Sequence, residues 1–363
     1  MKITANRDSL IAALQKIQSV VATRTTTPIL SNALLEADAA GTLTLTATDN
    51  SLTVRTTIPA EVAEPGATTL PVKRLVGVFR ELASGEAEIA VDANDIASVH
   101  AGSVSFRIHG ISRADYPTLP DLDGARSCVL AQATLREMLR LTSYAASLDI
   151  TRQVLNAVLL SFRGGKLSVV ATDSRRLALV EQEIPADAME ADLVVPLKTV
   201  EELLRVLGDD GDLRILATPT QVAFEFDGTL IVSKLVNKTY PNFRQVIPTA
   251  TGDRVTLDRD PFLTALRRTH MLVADATSSA RLTFSQDHLE ILTCAEGIGE
   301  ARENLAVRYA GKDLSISFNP LFLMDPLKNL STDEVYLDVV DDASPGVIRS
   351  TINFIYVLMP IRI

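Results

Sequence analysis

Two aspartates at matching positions are the residues of this 363-residue chain whose placement could most directly support catalysis. Asp49 and Asp173 each close an Ala-Thr-Asp tripeptide that follows an alternating apolar run. Carboxylates gathered at strand ends can hold divalent cations, so a metal-dependent nuclease is one interpretation. An aspartate that follows a strand also accepts backbone hydrogen bonds within a turn. We favour that second interpretation here, and also for Asp341 and Asp342.

Other catalytic signatures are missing from the sequence. The four histidines form no HExxH pattern, and no Walker-type, GxGxxG or GxSxG motif occurs. Cys128 and Cys294 are too far apart for a CxxC pair and cannot by themselves complete a four-ligand zinc site. We expect both thiols to be small core residues in a reducing cytoplasmic compartment. No leader-like or membrane-spanning apolar run is found. The missing motifs do not exclude an enzyme, but nothing in the sequence supports one.

Basic residues recur in register along the chain. Lys73 and Arg80 are seven residues apart, so they share one face of a predicted helix, opposite its apolar face. Lys198 and Arg205 stand at the equivalent positions 125 residues further on, and Lys328 stands at the position of Arg80 in the third repeat. This recurrence suggests one basic surface that contacts phosphates without reading bases. The residues from registered positions are Lys73, Arg80, Arg140, Lys198, Arg205, Arg267 and Lys328.

The apolar residues that position these side chains are also repeated three times. Leu75, Val78, Phe79 and Leu82 have helical spacing, and mostly apolar residues stand at the equivalent positions of two later segments. The third copy contains Pro326, which we expect to disturb or shorten its helix. A second amphipathic helix opens each repeat, and alternating segments between the helices predict antiparallel strands. In the first repeat the apolar face of that opening helix comprises Leu10, Ala13, Leu14 and Ile17.

The net charge of −10 taken alone argues weakly against a nucleic-acid partner. The charge is segregated, however. The six predicted helical windows contain fourteen Lys and Arg against nine Asp and Glu, so the rest of the chain carries −15. Surface helices often carry lysine and arginine merely as solvated residues, and that alternative stays open. The windows are residues 7–24, 71–84, 132–147, 197–207, 258–275 and 319–330.

Four segments give the sequence a family resemblance. They are EPGATTLP at 64–71, VATDSRRLA at 170–178, SKLV at 233–236 running into YPNF at 240–243, and YVLMPIRI at 356–363. Together they closely resemble the bacterial DNA polymerase III β subunits, the replicative sliding clamps. The resemblance covers essentially the whole chain, including the threefold repeat.

The resemblance implies an α+β fold of three repeated clamp domains, each with two helices packed on antiparallel sheets. We place the domains at 1–126, 127–252 and 253–363. Family members assemble as head-to-tail homodimers that form a ring, and twelve helices line the hole through which duplex DNA passes. The implied function is a DNA sliding clamp that tethers the replicative polymerase and other replication and repair proteins. It makes DNA synthesis processive within the DNA polymerase III holoenzyme.

Further properties of the family follow from the same resemblance. A sliding clamp has no intrinsic catalysis and no cofactor, and a clamp loader opens the ring. The implied location is the cytoplasm, in association with the nucleoid and without a membrane partner. DNA binding is independent of base sequence, and the resemblance adds Arg24 to the DNA-facing residues.

The resemblance also implies a hydrophobic pocket that accepts a short linear peptide ending in apolar or aromatic side chains. Ser174 and Arg175 depart from the Gly-His that often precedes Arg-Leu in the family, so we expect the peptide preference to differ in detail. Apolar residues at the chain terminus are unexpected unless they are tied down, which favours the pocket. Its walls are expected to comprise Leu155, Thr172, Arg175, Arg176, Leu177, Pro241, Val246, Val357, Met359, Pro360, Ile361 and Arg362.

Dimerisation is expected to pair the first domain of one chain with the third domain of the other. Apolar residues of a predicted edge strand would meet apolar residues of the opposing domain, with charged residues at the rim. The alternative is a monomeric three-domain peptide-binding scaffold that does not touch DNA. Such a scaffold does not require basic residues at equivalent positions of its helices. The candidate interface residues are Lys73, Arg74, Phe106, Ile108, Met271, Leu272, Glu296, Glu300 and Glu303.

Overall fold

A computed structural model describes residues 1–21, 26–83, 85–118, 121–185, 189–248, 252–271, 279–295 and 298–362. The chain divides into two compact units. Unit 1 comprises Met1–Ala133 and Glu201–Leu235, and unit 2 comprises Thr134–Val200 and Val236–Ile363.

Unit 1 contains two antiparallel sheets. The smaller sheet has the strand order β5 (Glu61–Glu64), β1 (Lys2–Asn6), β7 (Glu86–Val91), β8 (Ile96–Ala101), β9 (Val104–His109). The larger sheet has the order β10 (Arg126–Ala131), β15 (Asp212–Ala217), β16 (Gln221–Phe226), β17 (Thr229–Lys234), β4 (Leu52–Pro59), β3 (Thr42–Thr48), β2 (Asn32–Asp38), β6 (Gly66–Pro71). The larger sheet therefore takes four strands from the predicted first domain and four from the second.

Unit 2 repeats this plan with an eight-stranded and a four-stranded sheet. The larger sheet has the order β14 (Ala191–Pro196), β11 (Ala157–Arg163), β12 (Lys166–Thr172), β13 (Arg176–Glu183), β25 (Phe354–Leu358), β24 (Gly346–Arg349), β23 (Glu334–Val339), β18 (Asp253–Asp258). The smaller sheet has the order β21 (Gly299–Ala306), β20 (His288–Ala295), β19 (Ala280–Ser285), β22 (Leu314–Phe318).

Each α-helix among the described residues begins within two residues of the end of a strand, and the strand–helix pairs fall into two sets of three. Helices α1, α3 and α5 follow β1, β10 and β18, whereas α2, α4 and α6 follow β6, β14 and β22. This arrangement confirms the predicted threefold repeat of two helices on antiparallel sheets. The helices are α1 (Arg7–Gln18), α2 (Val72–Glu81), α3 (Gln132–Arg140), α4 (Leu197–Val206), α5 (Arg259–His270) and α6 (Pro320–Asn329).

The buried faces of the helices follow the predicted apolar spacing. In α1 the four predicted residues from Leu10 to Ile17 are all buried, and the Asn6 side chain caps the helix by accepting from the Asp8 and Ser9 backbone amides. In α2 the prediction is wrong at Val78, which is only half-buried. Val72 and Val76, which are not in the predicted set, complete that apolar face.

The expectation that Pro326 would disturb or shorten the third helix is wrong. Helix α6 has ten residues, as do α2 and α4, and Pro326 lies inside it. A proline cannot donate to the carbonyl four residues earlier, which here belongs to Phe322. The Tyr356 hydroxyl donates to that carbonyl at 2.9 Å, so the freed acceptor keeps a partner and the helix continues.

The two cysteines differ in environment. Cys128 is buried, as expected, but Cys294 is exposed on β20, opposite Glu300 of the outermost strand β21. The prediction that both thiols are core residues is therefore wrong for Cys294. The alternating pattern of β20 is the reason, because Leu289, Ile291 and Thr293 occupy the inward positions.

Candidate functional site

An apolar cavity of about 210 Å³ lies in unit 2 beside the 3₁₀ turn Phe243–Gln245, where β12 and β25 end and β13 begins. Small-molecule sites commonly span roughly 300 to 1,000 Å³, so this volume suits one or two side chains of a larger partner. The residues that line the cavity are Leu155, Thr172, Ser174, Arg175, Arg176, Leu177, Pro241, Phe243, Val246, Val357 and Met359.

Strand register brings these distant segments together. Leu177 of β13 lies between Thr172 of β12 and Val357 of β25 as their direct cross-strand neighbour. Beyond the last strand pair, the Met359 amide donates to the Arg175 carbonyl at 2.9 Å and holds the terminal segment against the cavity. The apolar C-terminal residues are thus tied down by the sheet, which explains how they can form a wall near the chain end.

Nine of the twelve predicted pocket residues line this cavity, and three do not. Pro360, Ile361 and Arg362 continue past Met359, but the Ile361 amide donates to the Ser317 carbonyl at 2.7 Å. This bond directs the chain toward β22 and away from the cavity.

Ser174 and Phe243 line the cavity although the sequence reasoning missed both. Phe243 is buried within the same apolar cluster as Leu177 and Val357. Phe243 could have been inferred from the YPNF segment, in which it follows directly on Pro241 and Asn242. Ser174 could have been inferred from its position between Asp173 and Arg175.

The two repeated aspartates each hold a turn. Asp173 Oδ1 accepts from the backbone amides of Arg175 at 2.8 Å and Arg176 at 3.0 Å. Asp49 Oδ1 accepts in the same way from the Ser51 and Leu52 amides, at 2.9 and 2.8 Å. These contacts confirm the turn interpretation over the nuclease interpretation. Within the described ranges, no group of three or more His, Cys, Asp or Glu residues could hold a metal ion.

Asp341 has the same kind of role. Its Oδ1 accepts from the Ala343 amide at 2.9 Å and the Ser344 amide at 2.6 Å. Hydrogen bonds from Ser344 and Ala343 favour the ionised carboxylate and lower the pKa of Asp341. The predicted solvated turn at this position is confirmed.

Arg176 is the buried charge of the cavity wall, with only 10% of its side chain exposed. It forms ion pairs with Asp325 of α6 and, at 3.1 Å, with Asp173. Its Nη2 donates to the Tyr144 carbonyl at 2.6 Å, and the guanidinium lies 4.2 Å from the Phe322 ring centroid. The ion pairs and the hydrogen bond use the polar edge of the guanidinium, and the Phe322 ring covers one of its faces.

Burial by itself disfavours the charged guanidinium, but interactions with Tyr356 and Asp325 outweigh it and raise the pKa of Arg176. Burial raises the pKa of Tyr356 and of Tyr144, so both phenols stay neutral at pH 7. Arg176 therefore stays charged within the cavity wall over the physiological pH range.

The predicted basic residues on the helices fall into two groups. Lys73, Arg80 and Arg267 are exposed and form no ion pair with any described residue. By contrast, Arg140 contacts both carboxylate oxygens of Glu137, at 2.6 and 2.8 Å. The first group presents charge that is available to a polyanion, whereas the charge of Arg140 is already compensated.

Lys328 of α6 also has a partner. Its Nζ lies 3.5 Å from Asp325 Oδ1. Lys198 is exposed on α4. Arg24 lies outside the described residues.

Arg205 is tied to the end of another helix. Its guanidinium donates to the α1 carbonyls of Gln15 and Lys16, at 2.9 and 2.5 Å, and to Glu202 of its own helix. The last carbonyls of a helix lack intrahelical donors, so Arg205 stabilises the C-terminus of α1. The spacing in the sequence correctly predicted the face of α4 on which Arg205 lies. It could not show that the guanidinium N–H groups of Arg205 already donate to other residues.

The predicted interface residues lie at two sheet edges. Phe106 and Ile108 are half-buried on β9, the outermost strand of the five-stranded sheet. Glu300 is exposed on β21, the outermost strand of the four-stranded sheet, and Met271 is 83% exposed at the end of α5.

The charged interface candidates differ in whether they already form an ion pair. Lys73 and Arg74 are exposed on α2. Glu303 already forms an ion pair with Arg268 of α5 at 2.6 Å. Leu272 and Glu296 lie outside the described residues.

Three family models match consecutive parts of the chain. They describe the N-terminal, central and C-terminal domains of the DNA polymerase III beta subunit, and they match residues 1–120, 129–242 and 244–362. No helix formed by the described residues is long and apolar enough to cross a membrane.

Individual relatives match over their whole length. The beta sliding clamp of Chlamydia muridarum is 33% identical over 364 residues, which cover 100% of this chain and 99% of the relative. A Pseudomonas aeruginosa sliding clamp solved bound to griselimycin is 31% identical, with a TM-score of 0.96 and full coverage of both chains. The Bacillus subtilis sliding clamp is 26% identical with a TM-score of 0.96, covering 100% of this chain and 99% of that one.

Proposed function

This chain belongs to the DNA polymerase III beta subunit family of sliding clamps, and on that premise we propose that two copies close a ring around duplex DNA. It is a processivity subunit and not a catalytic one. The observation that carries the ring proposal is the threefold strand–helix repeat with basic residues in register on its helices. In such a ring, closure around the duplex provides retention, so individual contacts with DNA can stay weak.

DNA contact in this proposal is electrostatic and independent of sequence. Lys73, Arg80 and Arg267 supply exposed charge without an intramolecular ion pair among the described residues. Lys198 lies on an equivalent exposed face, and Arg24 is assigned by family resemblance alone. Arg140, Arg205 and Lys328 contribute less because their charges are already engaged. Contacts of this kind position a duplex without fixing its register, which is what sliding requires.

Dimerisation would join the two open sheet edges. Strand β9 of one copy would lie beside β21 of the other. The unpaired backbone N–H and C=O groups of the two strands would then hydrogen-bond to each other. Half-buried Phe106 and Ile108 would then pack against apolar residues near Met271. Lys73 and Arg74 would meet Glu300 at the rim.

The molecular mass in solution, measured by analytical ultracentrifugation, tests this interface. We expect wild-type protein at about twice the 39.2 kDa chain mass, and an Ile108→Asp variant at the mass of one chain. Val129→Asp is the matched control, because Val129 is an exposed apolar residue on β10, which is also an outermost strand. A dimeric Ile108→Asp variant would count against the β9 edge. A monomeric wild type would favour the alternative, a peptide-binding scaffold without DNA.

The apolar cavity is the proposed docking site for the replicative polymerase, the clamp loader and other replication and repair proteins. A short segment that ends in apolar or aromatic side chains would fill it, because the cavity is small, apolar and open at the surface. The related Pseudomonas aeruginosa clamp binds griselimycin in its structure, which supports a ligand-binding role for this fold. We place the protein in the cytoplasm, associated with the nucleoid.

A further inference from the structure

A polar cavity of about 570 Å³ opens on the larger sheet of unit 1. Thr42 and Thr44 of β3 line it, so it lies on the face opposite to that of buried Leu43 and Leu45. Its volume falls within the range of roughly 300 to 1,000 Å³ that is common for small-molecule sites. Strand register places side chains of four neighbouring strands in one row across its floor. The residues of that row are Ala67, Glu36, Thr44 and Thr57.

Arg55 of β4 brings to this cavity a positive charge that no described residue balances. Its side chain is half-buried, and its guanidinium forms no ion pair or hydrogen bond with any residue that the structure describes. The Nε atom is buried without an acceptor among those residues. Because a buried donor without an acceptor costs folding free energy, the stability of the sheet does not explain an arginine here.

The other charged side chains of the cavity do not compensate Arg55. Arg113 and Glu36 lie 4.0 Å apart and pair with each other. Asp38 also lines the cavity, but it lies on β2, four residues beyond the cross-strand level of Arg55. Four residues of a strand span about 13 Å, so Asp38 stands at the far end of the cavity. One end of the cavity therefore has a guanidinium without a counter-charge.

The repeat shows that the sheet does not require an arginine at this position. At a shift of 124 residues, Arg55 and its cross-strand neighbour Thr46 correspond to Leu179 and Val170 of unit 2. Both of those residues are buried in an apolar cluster. The Thr46 hydroxyl, like the Arg55 Nε, is buried without a partner among the described residues. Unit 1 thus has two polar side chains where unit 2 has two apolar ones.

In unit 2 a carboxylate completes the next row of the sheet. Ser168 Oγ donates to Glu181 Oε1 at 2.8 Å, and Arg244 donates to the same oxygen at 3.3 Å. The corresponding residues of unit 1 are Thr44 and Thr57, whose hydroxyls hydrogen-bond to each other at 3.1 Å. Unit 1 therefore has hydroxyls and a guanidinium here but lacks a carboxylate at the position of Glu181.

We propose that this cavity binds a small polar molecule through a carboxylate group, which pairs with Arg55 and accepts a hydrogen bond from Thr57. The two residues alternate on one face of β4, about 7 Å apart along the strand, so both side chains can reach one carboxylate. The guanidinium offers paired N–H donors that match this group. One unpaired guanidinium balances a single negative charge, and Glu36 repels a second, which favours a carboxylate over a phosphate dianion. None of the cavity residues is among those proposed for DNA contact, dimerisation or the partner pocket.

A ligand-observed NMR titration at constant ionic strength tests the proposal. The probes are N-acetylserine and N-acetylserinamide, which differ only in the carboxylate. We expect the wild-type protein to bind the acid with a dissociation constant of about 1 to 10 mM, as suits a ligand of this size. The amide should bind about tenfold more weakly, because it cannot form a charge-assisted hydrogen bond with Arg55. Inorganic phosphate, the third probe, should also bind more weakly than the acid.

Arg55→Leu copies the residue of unit 2 and separates binding from stability. The preference for the acid should disappear, and the midpoint of thermal unfolding should not fall, because the variant removes a buried donor without an acceptor. Arg55→Gln, which keeps a polar side chain, should lose the preference in the same way. Arg214→Leu is the matched control and should keep it, since Arg214 is an exposed arginine of the same sheet that pairs with Glu225 at 3.6 Å.

Equal binding of the acid and the amide, or a preference that survives both Arg55 variants, would overturn the inference. A lower unfolding midpoint of Arg55→Leu would do the same, because the arginine would then stabilise the sheet. If phosphate binds as tightly as the acid, the cavity takes anions in general and the carboxylate assignment is wrong. If only the amidated peptide acetyl-Ser-Asp-Ser binds, the cavity takes a side chain of a protein and the small-molecule assignment is wrong.

Discussion

Arg176 in the cavity wall and Lys328 on helix α6 share one carboxylate. Asp325 Oδ2 pairs with Arg176, while its Oδ1 lies 3.5 Å from the Lys328 Nζ. One of these cations lines the proposed partner pocket, and the other belongs to the basic residues proposed to approach DNA. The pair therefore gives a direct physical link within unit 2 between the two candidate sites.

Replacing the shared carboxylate should affect both stability and the pocket. Asp325→Asn leaves Arg176 buried with weaker compensation, at a cost of about 2 kcal/mol. For a unit of this size we expect the midpoint of thermal unfolding to fall by roughly 4–8 °C. Peptide affinity should also fall, because the Arg176 guanidinium loses an ion pair that fixes its position in the wall. Calorimetry and the fluorescence anisotropy of a labelled peptide measure the two effects.

Glu334→Gln is the control for that experiment. Glu334 pairs with Arg308, but both side chains are substantially exposed, so its loss should leave the unfolding midpoint unchanged. If Asp325→Asn is as stable as Glu334→Gln and binds peptide normally, the shared carboxylate does not hold the cavity wall.

Arg205 and Arg80 occupy equivalent places in the repeat but should respond differently to substitution. Arg205→Gln removes donors to the Gln15 and Lys16 carbonyls at the end of α1 and should cost about 1 kcal/mol. The unfolding midpoint should then fall by about 2–4 °C. Arg80→Gln should leave it unchanged, because the Arg80 guanidinium has no ion-pair partner among the described residues. Equal midpoints for the two variants would show that Arg205 is not a structural residue.

Salt dependence of DNA association should identify the residues that contact phosphate. Removing one phosphate-binding side chain reduces the slope of log affinity against log salt by about 0.9 for duplex DNA. We expect a smaller slope for Arg80→Gln and for Arg267→Gln, measured with duplexes of unrelated sequence. Arg163→Gln should not change the slope, since Arg163 lies on β11 and is paired with Asp192. A change that depended on base sequence would contradict phosphate contact.

The helices were predictable because burial repeats every three to four residues, and a threefold repeat shows that pattern three times. Leu10 to Ile17 illustrate this, since every predicted residue is buried. Pro326 was misjudged because its effect depends on Tyr356, thirty residues later, which satisfies the Phe322 carbonyl. The helix propensity of a segment does not account for a hydrogen-bond donor that the tertiary fold brings to it from elsewhere in the chain.

The pocket was predictable only in part, for a related reason. Family resemblance identified Leu177 and Val357, and strand register makes them neighbours. Ile361 was assigned to the wall, but its amide pairs with the Ser317 carbonyl and leads the chain away. The engagement of Arg205 with α1 depends on the reach of a long side chain. Helical spacing determines the face on which such a side chain lies but not its contacts.

Retention on circular and linear duplex DNA is the measurement that tests the ring most directly. The protein is loaded with a matched clamp loader, and salt is then raised stepwise while bound protein is counted. A closed ring predicts retention on circles at salt concentrations that remove simple electrostatic binders, together with loss from the ends of linear DNA. Equal loss from circles and linear molecules, with a steep salt dependence, would contradict a closed ring around the duplex.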